Sequence, residues 1–167
     1  MSKQSCRASG CALAATLITL AGCGDSANDP VIERTRADMA VAWNERVIAI
    51  ADAEDHLLTL KGVRTAAMMH AAMHDALNAV HRRYQPYVYA TDTPRANPVA
   101  AAAQAAYEVA VSQYPGKRAD FDAELQLWLA SIGADRRDLD PGIALGRDVA
   151  MAVLRQRDGD GWDTVAE

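Results

Sequence analysis

The chain is predicted to fold entirely as α-helices, and three observations carry that prediction. Alanine is abundant while aromatic residues make up only 5% of the chain, a balance that favours helix over sheet. Apolar residues recur at helical spacing, and no window sustains the period-two alternation of a half-buried strand. Asp29-Pro30, Asn97-Pro98 and Asp140-Pro141 each set a capping residue before a proline, the signature of a helix start. About five helices are expected, packed around a buried central helix, within what is expected to be a larger helical bundle. With 167 residues and no internal repeat, one domain with a real core is the natural size class.

The first residues read as an address. Lys3 and Arg7 precede an apolar run from Cys11 to Ala21, of signal-peptide length and shorter than the roughly 20 residues a membrane-spanning helix needs. The run ends in Leu20-Ala21-Gly22-Cys23, which resembles a bacterial lipoprotein lipobox and implies cleavage before Cys23 and acylation of that cysteine. An ordinary signal peptide with a small-residue cleavage site is the plainer alternative. Residues 1–22 are thus expected as a lipoprotein signal peptide, 23–30 as a tether, 31–161 as the helical domain and 162–167 as a tail. Cys6 and Cys11 would leave with the signal, so the mature body would hold neither disulfide nor thiolate metal site. An exported lipoprotein, held by lipid at the periplasmic or cell-envelope face of a membrane, is expected.

The elements follow in order. Met39, Trp43, Val47 and Ile50 recur at helical spacing after Pro30, with Glu33, Arg36, Glu45 and Arg46 left for solvent; this first helix should end near Asp52 to His56. The second, from about Leu57 to about Arg83, is predicted to be the central one. Between Val63 and Val80 its only fixed charges are Arg64 and Asp75. One side carries Val63, Ala66, Ala67, His70, His74, Leu77 and His81, the other Ala72, Ala76 and Ala79, and a helix small or apolar on nearly all sides is one that neighbours enclose. Tyr84-Gln85-Pro86-Tyr87 breaks it, and a loop to Ala96 should lay its tyrosines over the core. Asn97-Pro98 starts an alanine-rich third helix through Tyr114, which Pro115-Gly116 stops. A fourth puts Phe121, Leu125, Trp128 and Ile132 on one stripe and ends at Gly133. Asp140-Pro141 opens a fifth, with Ile143, Val149, Ala150 and Val153 inward, and Asp158-Gly159-Asp160-Gly161 ends it.

Chemical candidates are few. His70 and His74 stand one helical turn apart, a spacing that lets two imidazoles share a metal. His81 lies roughly 16 Å beyond His70 along the axis, too far for the same ion, and spacing supplies no third ligand. Hydrogen-bonded structural histidines are the plainer reading. Asp75 and Asn78, if buried, require partners; an ion pair to another segment explains Asp75 without catalysis. The acidic glycine loop from Asp158 to Asp163 touches a calcium-loop pattern but places Trp162 where a third Asp or Asn belongs, so a helix stop with a frayed tail is expected. No serine sits in a Gly-x-Ser-x-Gly context, and no glycine-rich phosphate loop occurs. A net charge of −5 without a Lys/Arg run argues against nucleic acid. No catalytic or cofactor-binding residue emerges from these patterns.

Met69 to Val80, MHAAMHDALNAV, followed by RRYQPY from Arg82 to Tyr87, resembles the N-terminal helical region of bacterial vanadium-dependent haloperoxidase-like proteins. These belong to a superfamily with the type-2 phosphatidic acid phosphatases. The helix around Trp43-Asn44, the alanine-rich helix running into Tyr114-Pro115, and GIALGRDVAMAVLRQRDGDG from Gly142 are also similar to that region, so the likeness spans roughly Val31 to Gly161. The family binds vanadate or a phosphate ester inside a helical bundle. It uses a Lys and an Arg in one motif, a Pro-Ser-Gly-His segment, and a final Arg and His. This sequence has no Arg-Pro, no Ser-Gly-His and no histidine after His81, so no catalytic residue is carried over and the matching positions are scaffold positions. In the family those motifs lie further downstream. The resemblance therefore implies an N-terminal scaffold portion, with vanadate belonging only to a complete member. Its partners would be the membrane, through the lipid, and either a C-terminal helical half or a second copy. It also implies an exposed apolar patch; an oxyanion site would need clustered positive groups, and this acidic sequence is expected to offer none. Two alternatives stand beside it: a small helical envelope lipoprotein that binds a partner or ligand, and a helical metal-binding bundle using His70 and His74.

Overall fold

The structure, a computed structural model, describes residues 30–56 and 60–162. The expected leader, the expected lipidation site at Cys23, the expected Asp29 cap, Leu57, and the tail beyond Trp162 lie outside the described residues. Five α-helices follow one another without a strand among the described residues: α1 (Pro30–Asp55), α2 (Leu60–His81), α3 (Pro98–Gln113), α4 (Arg118–Ser131) and α5 (Arg136–Gln156), with a 3₁₀ turn at Pro115–Lys117 between α3 and α4. None is long and apolar enough to cross a membrane among the described residues.

A buried central helix exists, but it is α3 and not α2. Alanine is the reason. From Val99 to Tyr107 every side chain of α3 is buried, and α3 packs against each of the other four helices. Side chains of one carbon let neighbouring backbones close in from all sides. Its start is the one the sequence announces: the Asn97 side chain accepts the Ala100 N–H at 3.0 Å, and Pro98 takes the first helical position.

α2 is amphipathic. Its alanine and methionine face (Met68, Met69, Ala72, Met73, Ala76, Ala79) is buried, while Val63, Ala67 and His70 on the histidine side are exposed. Neighbours enclose the alanine and methionine face, while the face carrying the imidazoles is only partly covered, with His74, Leu77 and His81 half-buried.

On α1 the expected stripe is the core stripe. Met39, Trp43, Val47 and Ile50 are buried, and the Trp43 ring stacks on Phe121 of α4 with centroids 6.2 Å apart. Arg46 fastens the same pair of helices, donating from Nε and Nη2 to Glu124 Oε2 at 3.1 and 2.8 Å, while Trp128 Nε1 donates to Oε1 at 2.9 Å. Glu124 is buried with both carboxylate oxygens satisfied.

α5 begins a turn earlier than Asp140-Pro141 suggests. Asp135 takes the cap position, and Pro141 sits inside the helix with its ring exposed. A proline there deprives only the Arg137 carbonyl of a partner. Val149, Ala150 and Val153 are buried as expected, Ile143 is only half-buried, and Leu139, Gly142, Leu145 and Gly146 extend the buried stripe. Gly142 and Gly146 set the spacing to α3. A Cβ on Gly146 would stand 2.3 Å from the Ala101 carbonyl oxygen, and one on Gly142 would stand 2.7 Å from that of Asn97. The two helices meet backbone to backbone, a contact glycine alone permits.

Candidate functional site

The stretch that carries the family resemblance is a clamp. α2 ends at His81, where Arg82 adopts a left-handed φ of 51° and its N–H returns to the Asn78 carbonyl at 2.7 Å. The chain then runs back along α2 as a segment without regular structure from Arg82 to Asn97. Three side chains of α2 hold it. Asn78 donates from Nδ2 to the Tyr84 carbonyl at 2.7 Å and accepts the Tyr84 N–H at Oδ1, 2.8 Å. His74 donates from Nε2 to the Gln85 carbonyl at 3.1 Å. Asp75, wholly buried, accepts three successive amides: Tyr87 at 2.6 Å, Val88 at 2.7 Å and Tyr89 at 2.8 Å. His81 is half-buried.

Among the described residues no Lys or Arg makes the ion pair expected for Asp75; its neighbour His74 lies with Nε2 4.0 Å from Oδ1. The Asp75 carboxylate lies in a concavity of backbone N–H groups, which satisfies a buried anion without burying a guanidinium as well. The arginines near it on the helical wheel go elsewhere. Arg82 pairs with Asp92 at 2.6 Å, both exposed, and Arg64 reaches Asp160 at 3.1 Å.

His70 and His74, on the same side of α2, have separate partners. His70 Nε2 donates to Asn44 Oδ1 of α1 at 3.0 Å, and partial burial of its imidazole, on a residue that is exposed as a whole, lowers the pKa from its ordinary value. Among the described residues, no three His, Cys, Asp or Glu side chains gather as a metal-holding group.

The glycine loop after α5 is not frayed through Trp162. Gly159 and Gly161 take left-handed φ values of 70° and 81°. These turn Asp160 back onto α2, where the Arg64 hydrogen bond holds its carboxyl below the usual carboxylate range. Arg64 also donates to the Arg157 carbonyl at 3.1 Å and to Gln113 Oε1 at 3.3 Å, and its guanidinium lies 5.3 Å from the Trp162 ring centroid. One arginine thus joins α2, the end of α3 and the chain after α5. Asp160, the middle acid of the calcium-like pattern, is taken up by that cation.

Around this junction lie two depressions that sequence reading missed. One is an apolar groove of about 680 Å³ with Leu60, Val63, Ala67, Tyr87 and Trp162 on its walls. The other, of about 610 Å³, is bordered by Arg64, Arg118, Arg155 and Arg157. The expectation of no positive cluster is overturned here, because residues far apart in sequence are brought together by α2, α4 and α5. No run of basic residues could have signalled it. Arg118 donates to the Tyr107 hydroxyl at 2.8 Å, and that hydroxyl donates to Asp122 at 2.7 Å; burial, ahead of the Asp122 bond, raises the phenol's pKa. Arg157 hydrogen-bonds the Tyr87 hydroxyl.

No family model, curated protein or solved structure matches the chain. The site defines no class of protein beyond an all-α scaffold with a clamped loop and an arginine-bordered groove.

Proposed function

We propose that this chain is the N-terminal helical scaffold of a vanadium-dependent haloperoxidase- or acid-phosphatase-like lipoprotein, and that it turns over no substrate by itself. One observation carries the reading. In the stretch that most specifically resembles the family, His70, His74, Asp75 and Asn78 each hold a neighbouring segment in place. Groups tied into the frame in this way are not poised to bind an oxyanion. Val41 and Ile48, two turns apart on the outer side of α1 and 55% and 39% exposed, offer an apolar stripe for further helices of a bundle or for a second copy. Cys23 would carry the lipid that holds the protein to the envelope face of a membrane.

The test is an assay of the purified chain for vanadate-dependent bromide oxidation with peroxide, and for phosphomonoester hydrolysis. Both rates are expected to equal the buffer blank, and the DNA following the Glu167 codon is expected to encode a Pro-Ser-Gly-His segment. Activity that is abolished by substitutions in this chain would refute the scaffold reading. Incorporation of labelled palmitate, lost in Cys23→Ala, is the expected mark of the anchor.

A further inference from the structure

The apolar groove and the arginine-bordered depression adjoin each other, with Arg64, Met68 and Arg157 lining both. At one end Leu60, Val63 and Trp162 remain 76%, 47% and 42% exposed. At the other end Arg64, Arg118, Arg155 and Arg157 border the depression beside two carboxylates, Glu108 and Asp158, and Arg64 is itself paired with Asp160. Glu108 already accepts from Gln104 at 2.8 Å and from Arg147 at 3.2 Å. The Arg155 side chain is exposed and has no partner among the described residues. A chain of net charge −5 repels anions over most of its surface, so a positive end to an apolar trough is a local exception with a direction to it. Guanidinium forks match planar anionic oxygens, and the trough beside them matches a hydrocarbon chain.

We propose that this feature binds a single-chain anionic amphiphile, its chain along Leu60, Val63 and Trp162 and its head group at the arginine end against Arg155. The inference goes beyond the scaffold reading and does not rest on it.

Calorimetric titration of the full chain with dodecanoate, dodecyl phosphate, dodecyltrimethylammonium and butyrate, each below micelle formation, tests it. Saturable one-to-one binding is expected for one or both anionic twelve-carbon probes, and comparing the two separates a carboxylate from a phosphate head. The ammonium and butyrate should bind at least about tenfold more weakly. Arg155→Glu and Val63→Glu should each weaken binding by about tenfold or more. Both sites are exposed, so an unchanged circular dichroism spectrum is expected. Arg155→Gln gives a milder version of the same loss, and Leu127→Glu on α4, 63% exposed and outside the feature, should leave affinity unchanged. Equal binding of the ammonium probe, indifference to Arg155→Glu, or binding only to phosphatidylglycerol vesicles and to no single-chain probe would each overturn the proposal.

Discussion

Asp75 and Tyr87 meet across a turn of chain twelve residues long, carboxylate oxygen to backbone nitrogen at 2.6 Å. With the Val88 and Tyr89 amides on the other oxygen, one buried side chain sets the path of the segment after α2. Removing it leaves three amides without their acceptor. Asp75→Ala is expected to cost about 3–5 kcal/mol in urea unfolding. It should also speed tryptic cleavage after Arg83 and Arg95. A loss below about 1 kcal/mol would show that water replaces the carboxylate and that the clamp is incidental.

Gly146 offers a sharper geometric test. Its missing Cβ would lie 2.3 Å from the Ala101 carbonyl oxygen and 2.8 Å from the Gln104 Cβ, so Gly146→Ala must push α5 off α3. The expected cost is about 2–3 kcal/mol or more. Gly116, with nothing within 4 Å of its built Cβ, is the control. There Gly116→Ala should be neutral or stabilise by up to about 1 kcal/mol. Equal effects at the two positions would contradict the close contact.

His70 predicts the acid side of the stability profile. Burial lowers its folded pKa from 6.5, so below that value the unfolded chain takes up the proton more readily than the folded one. Its contribution is then present above 6.5 and lost as pH falls through the lowered folded value. Between about pH 7.5 and about pH 5, the melting temperature of the native protein should fall more than that of His70→Gln. Parallel curves would remove the assignment.

Tyr114 governs the alkaline side. Burial first, then its hydrogen bond to Asp55 at 3.0 Å, pushes the phenol up to about 12. The stabilisation it brings is complete below the ordinary 10.0 and is lost as pH rises toward about 12. Ultraviolet titration should show one tyrosine ionising near 12, and that step should vanish in Tyr114→Phe at a cost of about 1 kcal/mol at neutral pH.

The chain by itself determined the fold class, the number of helices and most of their ends. Such features follow from local causes: Pro98 after Asn97, Pro115 after Tyr114, and apolar residues repeating at helical spacing through Met39, Trp43 and Val47. Local rules also went astray at Pro141, which lies inside α5, because a proline in the early turns of a helix forfeits only one hydrogen bond. What only the tertiary structure decided is which helix is innermost, where Asp75 finds its partners, and that Arg64, Arg118, Arg155 and Arg157 share one depression. Each of these depends on contacts between segments far apart in the chain. Composition shows that α3 is small enough to be surrounded; only packing against Gly142 and Gly146 shows that it is.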